Sequence, residues 1–329
     1  MADGLSDLLL RLAGVRVLVV GDLFLDRLIC GRVTRISREA PVPVLEETRQ
    51  TELPGGGTAP ALGILALGGV AEQVGLVGTD ADGDLLRGLL SARGVGTGGV
   101  VADASRPTTV KTRIVAEGFL VYPQQVARID RIDRTPVSGV VEGALIGAIR
   151  AAAMAVDAVL ISDYQTGVVT PGVIEAILQA AGNQITTTVD AQGDPARYAG
   201  FDLVKCNEAE AERALGAPVT PPRLVAWRER LGCRTVAVTR GGASALLVHP
   251  GGIEEVPAAN RSEVYDVTGA GDTVIAVLTA ALVAGAPPRQ ALELAQLAGG
   301  IAVRKWGNVP VDAAELAAAV STRESDWSA

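Results

Sequence analysis

Short aliphatic runs that recur along the chain and end in polar residues limit the possible folds more than any other feature. Val15–Val20, Glu72–Val77, Ala158–Ile161, Thr186–Val189, Leu203–Lys205, Thr235–Thr239 and Ala245–Val248 are bounded by Gly, Asp or Asn and alternate with Ala- and Leu-rich stretches. Strands covered on both faces read as continuous apolar runs, and the stretches between them supply helical crossovers. The pattern predicts a doubly wound α/β body, a largely parallel sheet with helices on both faces. Ligands of such sheets collect at the carboxyl ends of the strands. The residues there are polar: Gly21-Asp22, Ser162-Asp163-Tyr164, Asp190 and Asn207-Glu208.

Two segments, about 28–52 and 107–131, break the alternation and read as extended chain, as in Val42-Pro43-Val44 and Val110 to Ile114. They concentrate Arg35, Arg38, Lys111, Arg113 and Arg128 in an acidic protein, which favours a small β-sheet lid over a site rather than two surface hairpins. Residues 1–329 are expected to form one domain with these lid segments inserted. Asp80 to Asp84 has the acid density of a calcium loop, but its glycine is misplaced and position twelve is Ser91. A turn capping a helix from Leu85 is expected instead.

Composition removes several function classes. A net charge of −8 with a pI near 4.9 argues against general nucleic-acid or anionic-membrane partners. Cys30, Cys206 and Cys233 form no C-x-x-C pair and no disulfide framework, which points to the cytoplasm. The single histidine, His249, sits before Pro-Gly-Gly in an expected turn, a poor setting for a triad or metal site. Met1 to Arg11 lacks the pattern of a signal peptide, and no apolar run is long enough to span a membrane.

The stretch Asp266-Val267-Thr268-Gly269-Ala270-Gly271-Asp272-Thr273 runs straight into an apolar segment. Amides of Ala270, Gly271 and Asp272 at a helix N-terminus could face a phosphate, with Asp272 beside it as a proton acceptor. An ordinary Asp cap is the alternative. There is no G-x-x-x-x-G-K-[ST] run, no protein-kinase catalytic loop, and Gly21-Asp22-Leu23-Phe24 replaces a dinucleotide fingerprint.

With these residues the chain resembles the ribokinase-like carbohydrate kinases of the PfkB family. Their D-T-x-G-A-G-D signature resembles Asp266 to Asp272, their N-x-x-E motif Asn207 to Glu210, and their di-glycine Gly55-Gly56. One branch is more similar still, the D-glycero-β-D-manno-heptose 7-phosphate 1-kinases of ADP-heptose synthesis. Arg35-Ile36-Ser37 with Glu39 to Val44, Gln124-Gln125, Ser162-Asp163-Tyr164 and Val264-Tyr265-Asp266 carry that likeness. Three positions depart from its pattern: Ala59 stands for an Asn, and Thr166 and Gln192 each stand for a Lys. A charge-assisted hydrogen bond contributes roughly 1.5–3 kcal/mol, so such losses can redirect substrate choice. Kinases for another sugar or a nucleoside, or a silent sugar- or nucleotide-binding regulator, are the competing readings.

The resemblance implies transfer of the γ-phosphoryl of ATP to a sugar hydroxyl, the anomeric one in the heptose branch. Asp272 would be the general base and the amides of Gly269, Ala270 and Gly271 the phosphoryl cradle. Asn207 and Glu210 would orient Mg²⁺ through water, with a monovalent cation as a further candidate cofactor. On the substrate side it implies Asp22, Asp26, Gly55, Gly56, Lys111, Arg113, Arg128 and Asp163, with a strand-end cap as the alternative reading of Asp22. On the nucleotide side it implies Thr239, Arg240, Gly241 and Thr268, with 296–305 as an aliphatic adenine wall. A homodimer through the lid is expected, and any nucleotidyltransferase activity is expected to belong to another protein.

Overall fold

In a computed structural model of the chain, residues 4–117, 123–259 and 264–328 are described, the last five of them by backbone alone. Residues 118–122 of the second lid segment therefore lie outside the described residues. The strands are β1 (Arg16–Gly21), β2 (Leu23–Ile36), β3 (Pro43–Gly56), β4 (Val70–Gly78), β5 (Gly96–Asp103), β6 (Val110–Glu117) and β7 (Gln124–Arg131). They continue with β8 (Ala158–Asp163), β9 (Thr186–Ala191), β10 (Leu203–Asn207), β11 (Thr235–Thr239), β12 (Ala245–His249) and β13 (Gly252–Val256).

Among the described residues the large sheet has the order β13-β12-β11-β10-β9-β8-β1-β4-β5. Every pairing from β11 through to β5 is parallel, and β12 and β13 close one edge as an antiparallel hairpin. Alternation along β1 explains why both faces are covered. Val17 and Val19 pack into the layer of helices Ala59–Ala66, Ala270–Val283 and Pro288–Ala302, while Leu18 and Val20 pack under Gly139–Ala153 and Pro171–Ala181. Each such aliphatic side chain stabilises the fold by roughly 1.5–3 kcal/mol.

Every strand expected from the aliphatic runs is present. The two that the runs did not mark are β5, whose sequence opens Gly-Thr-Gly-Gly, and β13, Gly-Ile-Glu-Glu-Val. Both are edge strands with partly solvated faces, so neither needs a continuous apolar run. The helix expected from Leu85 starts earlier, at Ala81, because the Asp80 carboxylate accepts the Gly83 amide at 2.9 Å and caps it there.

The lid is a four-stranded sheet of order β3-β2-β6-β7, with β2 and β6 parallel. It begins at Leu23, earlier than position 28, because β2 continues almost directly from β1. Ion pairs fix its base to the body: Arg27 to Asp82 at 2.6 Å, with Arg131 bonded to the same carboxylate.

Candidate active site

The carboxyl ends of β1, β8, β9 and β10 meet the start of helix Ala270–Val283 beneath the lid. Gly269 precedes that helix with φ 77°, a left-handed conformation that other residues adopt only at a cost. The turn is clamped from outside, since Asp266 accepts the amides of Thr268 and Gly307, both at 2.9 Å. Of the four amides named from the sequence, that of Ala270 bonds back to the Val267 carbonyl at 3.3 Å. Those of Gly269, Gly271 and Asp272 have no such bond among the described residues and lie at the positive end of the helix.

Asp272 is only 6% exposed, and both its oxygens accept the Tyr164 hydroxyl, at 3.1 and 3.0 Å. Burial, then the neighbouring Asp190 charge, pushes its pKa up to about 7, against the lowering effect of Tyr164 and Lys205. Such a carboxyl is poised to take a proton near neutrality. Beside it, Lys205 Nζ donates to Asp190 at 2.7 Å, and both groups are buried. A Cβ added at Gly271 would lie 2.9 Å from that ammonium, so the cation sits directly against the cradle. Burial opposes the Lys205 charge, but Asp190 outweighs it and the pKa is raised. Lys205 was not singled out from the sequence, and Tyr164 was named only as one of the polar residues after β8, with no role. The one available signal was a lysine inside the otherwise apolar β10.

On the lid side lies a cavity of about 490 Å³ between the underside of the lid and the segments around 265–268 and 306–309. Asp26 lines it and pairs with Arg113 at 2.7 Å, while a side chain at Gly55 would overlap the Asp26 carboxylate. Gly56 follows at the end of β3, opposite Leu23. Lys111 Nζ stands 4.0 Å above the Phe24 ring and 5.1 Å from that of Tyr164, and its burial lowers its pKa. Arg128 is the cross-strand partner of Arg113 and pairs with Asp130 at 2.9 Å. Lys111 and Arg128 lie outside the cavity lining, whereas Arg49, Tyr265 and Trp306 are part of it and had not been expected as ligands.

Four expected ligands, Asp22, Asp163, Thr268 and Arg240, are engaged or placed elsewhere. Asp22 is fully buried and accepts the amides of Tyr164, Thr166 and Val168 at 2.7, 3.1 and 3.4 Å. It latches the 164–168 loop, which is the capping alternative. Burial, and then Asp163, raises its pKa to about 6. Asp163 is likewise engaged internally, by the Gln165 amide at 2.8 Å, by Arg197 at 2.8 Å and by the Tyr198 hydroxyl. Thr268 lines the lid-side cavity and not the nucleotide side.

Across the cradle is a largely apolar cavity of about 180 Å³. Thr239, Gly241, Val267, Gln296, Gly299 and Val303 are part of its wall, which contains no aromatic ring. Arg240 points away, with Nε on the Ser244 carbonyl at 2.6 Å and a guanidinium bond to Glu255 at 2.6 Å. Asn207 and Glu210 form a reciprocal capping box on helix Glu208–Leu215, with bonds of 2.9 and 2.7 Å. Burial raises the Glu210 pKa. Among the described residues no cluster of three or more His, Cys, Asp or Glu side chains is arranged to hold a metal ion by itself.

The sequence profile described as pfkB family carbohydrate kinase matches residues 16–312. The chain belongs to this family. Among curated relatives, the bifunctional protein HldE of Caulobacter vibrioides is 39% identical over 338 residues, covering 99% of this chain and 68% of that protein. The bifunctional protein HldE of Gluconacetobacter diazotrophicus is 39% identical over 322 residues, covering 95% and 65%. The chain thus spans about two thirds of the length of the curated relatives it matches. In structure it is similar to Arabidopsis thaliana ribokinase complexed with ribose and ATP, with a TM-score of 0.70 at 21% identity over 94% of this chain and 99% of that one. It is also similar to Escherichia coli phosphofructokinase-2 in complex with potassium, with a TM-score of 0.75 at 18% identity over 95% and 99%. The fold is ribokinase-like.

As a pfkB-family carbohydrate kinase, the chain is a phosphotransferase with an alcohol group as acceptor. Its departures from the heptose-kinase pattern fall around the site. Ala59 is buried at the head of helix Ala59–Ala66, Thr166 is buried in the loop latched by Asp22, and Gln192 follows β9. In this pfkB kinase the cation held at Asp190 is Lys205.

Proposed function

We propose that this kinase transfers the γ-phosphoryl of ATP to the anomeric hydroxyl of D-glycero-β-D-manno-heptose 7-phosphate. The observation that carries this reading is Asp272, a buried carboxyl in the first turn of helix Ala270–Val283, whose leading residues Ala270 and Gly271 line the apolar cavity, while Asp266 and Thr268 of the turn before it line the lid cavity with Arg49 and Arg113. Asp272 accepts the proton of the attacking hydroxyl, which Asp26 helps to orient. The amides of Gly271 and Asp272 hold the transferred group, and Lys205 offsets charge that accumulates there. Lys111, Arg113 and Arg128, with Arg49, bind the sugar phosphate. The aliphatic wall from Thr239 to Val303 receives the adenine. Asn207 and Glu210 would hold Mg²⁺ through water, and the ion would supply charge neutralisation at the nucleotide phosphates.

The likeness to the HldE proteins supports the heptose substrate, and the cations under the lid support a phosphorylated one. Ala59, Thr166 and Gln192 favour the second reading, a kinase for a different sugar phosphate. We further assign one kinase unit to the chain with its lid, acting in the cytoplasm; among the described residues no helix is long and apolar enough to cross a membrane. A homodimer through the lid is supported by its edge strands β3 and β7 and by exposed Ile36, Val126 and Ile129.

Initial rates with heptose 7-phosphate, the unphosphorylated heptose, fructose 6-phosphate, ribose and nucleosides test this assignment. The expected result is a kcat/KM for heptose 7-phosphate at least about a hundredfold above that for the unphosphorylated sugar, as charge-assisted contacts imply. Equal use of the two would remove the phosphate subsite; selective use of fructose 6-phosphate would favour the second reading.

A further inference from the structure

We propose that Tyr164 is a positioning residue for the base, its hydroxyl fixing the orientation of the Asp272 carboxylate and supporting that group in its ionised form. The inference rests on the reading of Asp272 as general base. Its geometry is built in three steps. The buried Asp22 takes the Tyr164 amide at 2.7 Å and the Thr166 amide at 3.1 Å, which sets the path of the loop after β8. The ring is then held by an edge contact with Phe24, centroids 4.9 Å apart, and by Lys111 on its lid side, 5.1 Å from its centroid. Both constraints aim the hydroxyl at Asp272, where it meets both oxygens.

This arrangement gives Asp22 a purpose that its sequence position did not suggest, since the acid acts on the base through the tyrosine. The phenol is a dependable donor, because burial and then the Asp272 and Asp190 charges raise its pKa well above the ordinary range. A carboxylate offers about four lone-pair sites, so one hydroxyl leaves room for the proton of an incoming sugar. The charged groups that face Asp272 are Asp190 on β9, Lys205 on β10 and Asp26 on β2. The two acids oppose its ionisation, which leaves Tyr164 and Lys205 to support it.

Tyr164→Phe removes the donor and keeps the ring packing. The direct test is a ¹³C titration of the Asp272 carboxyl in the full chain, its resonance identified by its loss in Asp272→Asn. Removal of a hydrogen bond to a charged group predicts an upward movement of about one pH unit. The acidic limb of the kcat profile moves with it, so turnover falls about fivefold at pH 7 and recovers by pH 9, while the KM for MgATP stays within about twofold. Fluorotyrosine at 164, a stronger donor, moves the titration downward. An unmoved Asp272 titration in both variants, or an equal loss of turnover at every pH, would overturn the proposal. The carboxyl titration needs no sugar. Full activity in Asp272→Asn would therefore defeat the reading of the base, without bearing on whether Tyr164 controls the carboxyl.

Discussion

Asp272→Asn should cut turnover sharply and at the same time stabilise the protein, by an amount that depends on pH. Burial and Asp190 hold the folded-state pKa near 7, against an ordinary value of 3.8. A carboxyl with a raised folded pKa binds its proton more tightly in the native chain. Its burial therefore costs nothing below about pH 4, costs progressively more from pH 4 to 7, and levels off above. Three units of difference correspond to about 4 kcal/mol at pH 8, and at pH 5.5 about 2 kcal/mol of that is already present. Asparagine keeps the shape and an oxygen acceptor for Tyr164 but has no charge to bury. Urea unfolding of both proteins should show the mutant gaining about 2 kcal/mol more at pH 8 than at pH 5.5. Both conditions lie above the pI near 4.9, where solubility is least. Turnover should fall about a hundredfold or more with ATP affinity unchanged. A stability difference independent of pH, or a less stable mutant, would refute the claim that this carboxyl is held at a raised pKa.

Two further substitutions separate the parts of the site. Lys205→Met leaves Asp190 as an unpaired buried charge and should destabilise by about 3–5 kcal/mol; adding Asp190→Asn should restore stability in urea unfolding without restoring turnover. Arg113→Ala removes the partner of Asp26 and a lid cation, so the sugar KM should rise about tenfold or more in steady-state assays, with the ATP KM within about twofold.

The body of the fold was legible because strands such as β1 and β8 are buried on both faces and must be aliphatic throughout. β5 and β13 were not, because an edge strand can be built from glycine and glutamate when one side is solvated. At the site, the Gly269 turn and Asp272 were legible because few backbone arrangements reward that order of residues. Asp22 and Asp163 show the limit. An acid after a strand has the same sequence signature whether it faces a ligand or takes backbone amides from its own loop. Tyr164 meets Asp272 across 108 positions, and Lys205 meets Asp190 across a strand pairing, so neither contact leaves a local pattern. Asn207 and Glu210 illustrate a motif with two readings at once, since the N-x-x-E spacing is also what a capping box requires.

Phosphorus NMR of one reaction containing the protein, MgATP and D-glycero-β-D-manno-heptose 7-phosphate tests directly whether this chain moves a phosphoryl group from ATP to the anomeric oxygen of a sugar phosphate. The expected result is loss of the γ-phosphate signal of ATP, a new phosphomonoester at the anomeric carbon and an unchanged 7-phosphate signal, all absent over the same interval with Asp272→Asn. Conversion of ATP only to ADP and inorganic phosphate, or a new signal at a different sugar carbon, would contradict it.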